Sequence, residues 1–243
     1  MEIFHYGQDH LTCSIALKLA RKEQKGDFNS QTRSKVLASA EAVAEIAKGE
    51  TAVYGINTGF GPLCTSKISE KDTQTLQENL LKSHAVGLGE PVATEISRLM
   101  LVLKLQALAQ GYSGIRFETL ERIAWMLEQD VIPVVPIQGS VGASGDLAPL
   151  SHLFLPLIGL GKVHFEGKIL PTAEVLKHFS KEPISLGPKE GLALINGTQF
   201  MAAYGVKIVD RLHNILVHAD ITGAMMLEGL MGSIKHFHLN CIS

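Results

Sequence analysis

Gly139-Ser140-Val141-Gly142-Ala143-Ser144-Gly145-Asp146 combines a tripeptide that can be turned into an electrophile with the glycines needed to compress it. If the amide nitrogen of Gly145 attacks the carbonyl carbon of Ala143, a five-membered ring closes. Loss of two waters then leaves the Ser144 side chain as an exocyclic methylene, giving a methylidene-imidazolone (MIO). No unmodified side chain is electrophilic, so a protein that must attack an amine or an electron-rich ring has to import such a group or make one. Gly145 has no Cβ to hold its nitrogen away from the neighbouring carbonyl, and Gly139 and Gly142 permit the strained turn. Ser144 carries the hydroxyl that leaves. Stripped of its flanks, an Ala-Ser-Gly tripeptide is far more often a glycine-rich turn, with Ser144 or Asp146 capping a helix.

Such a tripeptide needs a rigid frame, and the sequence around it predicts a mostly helical one. Asp146 to Leu160 reads as a helix with Pro149 in its first turn, where a missing amide donor costs little, and with its positive end toward the tripeptide. Apolar residues recur at helical spacing as Val36, Ala40, Val43, Ala47, as Leu76, Leu80, Ala85, Leu88, as Ile96, Met100, Leu103, Ala107, and as Ile123, Met126, Leu127. Alternation on both sides of Glu166-Gly167, over Lys162 to Ile169, predicts a small β-hairpin. From Ala202 to Leu230, Ile208, Leu212, Ile215, Ala219 and Met226 fall on one stripe of a helix longer than globular helices usually are. A helix of that kind wants partners.

Composition narrows the function classes. The chain has 243 residues and is 46% hydrophobic, enough for a buried core. A formal charge of -2 gives no electrostatic case for nucleic acid or an anionic membrane surface. The N-terminus lacks a basic n-region and an apolar h-region, and the apolar stretch from Leu147 to Leu160 is broken by Pro149, Ser151, His152 and Pro156. A soluble, cytoplasmic protein is expected. Cys13, Cys64 and Cys241 are widely spaced, form no Cys-x-x-Cys pair, and read as inert thiols in a reducing compartment. His236-Phe237-His238 has no matching carboxylate or thiolate, so no metal ligands are expected.

Three more segments carry polar groups in distinctive company. Tyr54-Gly55-Ile56-Asn57-Thr58-Gly59-Phe60-Gly61 lacks both the Gly-x-Gly-x-x-Gly order and a Gly-Lys-Ser/Thr ending, so it is no phosphate loop; alone, Tyr54 reads as a core aromatic. In Ser83-His84-Ala85-Val86-Gly87, followed by Gly89-Glu90-Pro91, a lone His84 on an amphipathic helix reads as a surface or satisfied core residue. Gly191-Leu192-Ala193-Leu194-Ile195-Asn196-Gly197-Thr198-Gln199 contains a strong turn dipeptide, and its Asn-Gly-Thr sequon calls for no glycan without a secretory signal.

With these three segments in order around the Ala-Ser-Gly loop, the chain resembles the MIO-dependent aromatic amino-acid ammonia-lyases, most of all their histidine-specific branch. The resemblance implies a mainly α fold: a helical MIO-containing domain with a small hairpin over residues 1–200, then the first helix of a long central bundle over 201–243. It implies an MIO formed autocatalytically from Ala143, Ser144 and Gly145 with no external cofactor, a small amino-acid substrate, and a homotetramer whose sites mix residues of different subunits. It also assigns roles. Tyr54 becomes the base that takes the substrate's β-proton, Asn196 contacts the MIO and the amine region, and Ser83-His84 is the pair expected for a histidine ring. The reaction implied is loss of ammonia from L-histidine to give trans-urocanate. Tyrosine or another aromatic amino acid is the alternative substrate, and an inactive remnant the alternative state. Family members are considerably longer, so only their N-terminal half is covered and the bundle is incomplete. Phe237 to Ser243 does not look like the family's continuation.

Overall fold

The computed structural model describes residues 3–60, 68–143, 145–233 and 235; Ser144, Cys64, His236, His238 and Cys241, all considered above, lie outside the described residues. Nine helices carry the described fold: α1 (Cys13–Ala20), α2 (Ser30–Lys48), α3 (Glu70–His84), α4 (Thr94–Leu108), α5 (Phe117–Glu128), α6 (Leu147–Phe154), α7 (Thr172–His178), α8 (Glu190–Ile195) and α9 (Gln199–Gly229). The mainly α class expected from the apolar spacing is the class observed. Side-chain caps start several helices: Thr12 Oγ1 accepts from the Ile15 amide at 3.2 Å, and Asn29 Oδ1 from that of Thr32 at 2.9 Å.

Helix α4 forms the centre. Ile96, Leu99, Met100, Leu101, Val102, Leu105 and Leu108 are all buried, and α1, α5, α6 and α9 pack around it. α2 is buried only along a narrow stripe that includes Thr32, Val36 and Val43. The long C-terminal helix exists as expected, running unbroken from Gln199 to Gly229. Only its first turns, at Phe200, Ala203 and Val206, are buried, while Ile208, Leu212, Ile215 and Met226 of the predicted stripe are all exposed.

The hairpin is present as β6 (Lys162–Phe165) and β7 (Lys168–Pro171), turning at Glu166-Gly167, and β4 (Ile132–Pro133) adds a third antiparallel strand beside β6. Two further pairs had no sequence signal. β1 (Phe4–His5) lies parallel to β2 (Gly26–Asp27), and β3 (Leu88–Pro91) pairs antiparallel with β5 (Pro136–Gln138). β1, β2 and β5 are below the length at which alternation can be read, and β3 carries Gly89 and Pro91, which argue against a strand.

Two helix boundaries differ from expectation. α3 stops at His84, so Ala85 and Leu88 leave the predicted stripe and Leu88 opens β3. α6 stops at Phe154 instead of reaching Leu160 and tightens into a 3-10 turn over Leu155–Ile158. Pro156 accounts for that change: it has no amide proton to donate, and its ring would crowd the carbonyl one turn back, at His152.

Candidate active site

The three motif-bearing helices pack on one another pairwise, α3 on α6, α3 on α8 and α6 on α8. α3 ends at His84, α6 begins just after Gly145, and α8 ends just before Asn196. Segments far apart in sequence therefore meet at helix ends.

The strand pair β3–β5 stitches the first two together. β3 follows Ser83-His84 and β5 precedes Gly139, and their pairing, Leu88 opposite Gln138 and Pro91 opposite Pro136, fixes the spacing between the two segments. From α6, His152 Nε2 accepts the Gly87 amide at 3.0 Å, and burial pushes this imidazole's pKa down, keeping it the neutral acceptor the bond requires. Between the two segments lies a cavity of about 200 Å³, lined by Ser83, His84 and Val86 on one side and by Gly139, Val141, Gly145, Leu147 and Ala148 on the other.

His84 is held by its own helix. Its Nδ1 lies 2.9 Å from the Leu80 carbonyl oxygen, with Ser83 Oγ at 3.1 Å from the same nitrogen. A carbonyl only accepts, so in the neutral ring the proton sits on Nδ1 and Nε2 keeps its lone pair.

The third segment meets the tripeptide through backbone. The Asp146 amide donates to the Gly197 carbonyl at 2.7 Å. Gly145 has φ +107°, and a Cβ there would lie 2.5 Å from Gly197 O, so only glycine fits. Asp146 is fully buried and, instead of capping its own helix, accepts from Ser140 Oγ at 2.6 Å and from the Met201 amide at 3.0 Å, in the first turn of α9. Thr198, at the cap position of α9, makes no side-chain cap bond, so Asp146 supplies that acceptor from a distant part of the chain.

Asn196 is exposed at the α8–α9 turn, as its Asn-Gly dipeptide predicted, and does not line the cavity. Tyr54 does not line it either. It is 54% exposed, with its ring set edge-on to Phe60 at a centroid distance of 6.0 Å. Its loop is nonetheless anchored beside the site. Buried Asn57 accepts the Val53 amide at 2.7 Å and donates to the Thr51 carbonyl at 3.0 Å, and Gly55 sits so close to Leu192 of α8 that a Cβ would lie 2.5 Å from Leu192 Cδ2.

Two groups at this junction escaped the reading of the sequence. One is the reach of Asp146 to α9, which only the fold brings about. The other is Lys104, 2% exposed in the centre of α4, whose Nζ donates to the Asn196 carbonyl at 2.8 Å. Its signal was present: one charge inside Leu99-Met100-Leu101-Val102-Leu103-Lys104-Leu105, one helical turn beyond Met100 on the buried face.

A helical scaffold that converges three helix ends on Gly145, held in a left-handed conformation beside Gly197, defines a protein built around that point. Comparison with known proteins gives the class its family: the aromatic amino acid lyase profile matches residues 11–242, and the chain belongs to that family. The match runs through the C-terminal segment that had been expected to depart from the family's pattern. Histidine ammonia-lyase of Myxococcus xanthus (strain DK1622) is 47% identical over 229 residues, which are 94% of this chain and 45% of that protein. Among solved structures, histidine ammonia-lyase from Trypanosoma cruzi superposes with a TM-score of 0.89 at 35% identity, over 98% of this chain and 46% of that one. Tyrosine aminomutase from Streptomyces globisporus superposes with a TM-score of 0.85 at 34% identity, over 93% and 42%. The chain thus spans less than half the length of these relatives.

Proposed function

We propose that this chain forms the electrophile-bearing part of a carbon-nitrogen lyase that removes ammonia from L-histidine to give trans-urocanate. The observation that carries the reading is the shared cavity, which sets the Ser83-His84 pair across from Gly139, Val141 and Gly145.

The residues present fit an MIO. Gly145 has the left-handed backbone that only glycine adopts without strain, closed over by Gly197 O, and Asp146 pins it from the C-terminal side, which suits a residue whose nitrogen must reach a neighbouring carbonyl. In that closure the Gly145 nitrogen bonds to the Ala143 carbonyl carbon. One water takes the Ala143 carbonyl oxygen with the amide hydrogens of Ser144 and Gly145, and the other takes the Ser144 hydroxyl together with its α-hydrogen. The finished ring supplies an electrophile that no ordinary side chain offers.

The other roles belong to side chains. The β-proton of histidine is weakly acidic, so a base must take it as the Cα–N bond breaks, and Tyr54 is assigned that task. His84 Nε2, with its lone pair free, accepts an N–H from the substrate imidazole, a bond that a benzyl ring cannot return. Asn196 steadies the amine end beside the ring. At about 200 Å³ the cavity is smaller than the roughly 300–1,000 Å³ of complete small-molecule sites. One wall is thus supplied here. The exposed Tyr54 and the uncovered apolar length of α9 support a homotetramer that completes the site between subunits, with α9, beginning the region from residue 201, in its central bundle. None of the described helices is long and apolar enough to cross a membrane, and a cytoplasmic enzyme is proposed.

The test has two readings on the purified protein. Intact mass should be lower than the sequence mass by two waters, and L-histidine should give the ultraviolet absorbance of an unsaturated imidazole acid faster than L-tyrosine gives its product. An unshortened mass overturns the electrophile. Faster turnover of tyrosine moves the reading to the alternative substrate, in line with the similarity to a tyrosine aminomutase.

A further inference from the structure

Lys104 is the least economical residue in the core. Its Nζ makes a hydrogen bond to one backbone oxygen, that of Asn196, while burial alone pushes its pKa down to about 7 with no carboxylate contributing. Stripping an ammonium of water for one neutral acceptor is costly, and a methionine, one atom shorter, would fill most of the space without that cost.

What the ammonium holds explains its place. The carbonyls of Asn196 and Gly197 are consecutive, and each is pinned by a different element. Asn196 O receives Lys104 from α4, and Gly197 O receives the Asp146 amide from the start of α6. Two successive pinned carbonyls fix the two peptide planes that meet at the Gly197 Cα. Those planes decide where Gly197 O stands over Gly145, within 2.5 Å of a would-be Cβ, and in which direction the Asn196 side chain leaves the turn. The Nζ donor also satisfies one of the carbonyls left open at the C-terminal end of α8.

We propose that Lys104 is a positioning residue for the Ala143-Ser144-Gly145 segment, acting through the Asn196–Gly197 turn and touching neither substrate nor ring. The role as a ring-positioning device rests on the lyase reading above, whereas the clamp on the turn stands on geometry alone.

The experiment compares wild type with Lys104→Met in the whole chain by amide hydrogen exchange, thermal melting and intact mass. In K104M the melting midpoint is expected to hold or rise, because a buried ionisable group gives way to an apolar chain one atom shorter. Exchange of the Asp146 amide and of peptides over 192–200 is expected to quicken by about tenfold or more while α4 and α5 keep their protection. The fraction of chain lacking two waters is expected to fall. A merely structural lysine would instead lower the melting midpoint and leave no local difference in exchange. Unchanged exchange at Asp146 overturns the proposal. Should K104M not fold, Lys104→Gln, one atom too short to reach the Asn196 oxygen, serves the same comparison with the same overturning result. If wild type itself shows no loss of water, the lyase reading fails while exchange still decides whether Lys104 clamps the turn.

Discussion

The amide of Asp146 and the carbonyl of Gly197 are joined at 2.7 Å, across a sequence separation that spans the hairpin and the helices α6, α7 and α8. The same aspartate caps α9 through the Met201 amide and takes the Ser140 hydroxyl, so three segments share one fully buried carboxylate residue. Asp146→Ala keeps the amide but strands two donors. The expected cost is about 2–4 kcal/mol, the range for unpaired buried partners of a charged group. Asp146→Asn, which retains one acceptor of the same shape, should lose less. Urea midpoints of the two variants check the order, and an alanine variant as stable as wild type would show that this junction carries no weight.

Glycine positions at the site should differ in tolerance for a physical reason. At Gly145 a methyl group meets the Gly197 carbonyl, which cannot retreat without releasing Asp146. At Gly55, with φ +76°, it meets the free end of the Leu192 side chain, which can rotate away. Gly145→Ala is therefore expected to cost about 1–3 kcal/mol and to block loss of the two waters, whereas Gly55→Ala pays only the left-handed strain of about 1–2 kcal/mol. Thermal melting and intact mass of both variants decide. Equal melting losses with equal ring yields would contradict the contrast.

Acid should loosen the site before it unfolds the core. His152 is held below the usual imidazole range by burial and accepts the Gly87 amide through Nε2. Between that lowered pKa and the ordinary value near 6.5, the unfolded chain binds a proton that the folded one refuses. Stability is therefore full above the ordinary value and falls as pH drops through this window. Lys104 acts with the same sign at higher pH: from about 7 to its ordinary 10.5, stability should rise with pH. Urea midpoints followed across both windows test this. His152→Gln should flatten the acid slope and Lys104→Met the alkaline one.

Much of this architecture was legible in the sequence because its signals are local. The stripes of α2, α4 and α5, the Glu166-Gly167 turn and the length of α9 all arise from residues a turn or two apart. The motif segments were legible as segments, and the contacts among α3, α6 and α8 bring their ends together. Illegible were the non-local devices: the β3–β5 stitch, too short to alternate, the reach of Asp146 to α9, and the partner of Lys104. A carboxylate that caps a helix more than fifty residues away has the same local sequence as one that caps its own. Pro156 was in plain view, and its weight against a longer α6 lay in the carbonyl it displaces.

Selectivity for the substrate ring should reside in His84 and not in Ser83. The Leu80 carbonyl takes the Nδ1 proton of His84, leaving Nε2 as an acceptor without requiring the serine. Serine 83 is a second neighbour of Nδ1 and also donates to Leu80 O at 3.2 Å, so its loss leaves the imidazole tethered. His84→Leu removes the acceptor for the substrate N–H, a loss of about 1–3 kcal/mol, or roughly 5–150-fold in kcat/KM for histidine. For phenylalanine the same variant removes an unpaired polar group, so its kcat/KM should hold or rise. Ser83→Ala should leave the ratio of the two within about threefold, since a neutral hydrogen bond contributes only about 0.5–1.5 kcal/mol and is not made to substrate. The measurement is the ratio of the two rate constants for each variant, because a ratio cancels any loss of folded enzyme. Equal losses for both substrates in H84L would make His84 a structural residue at the end of α3.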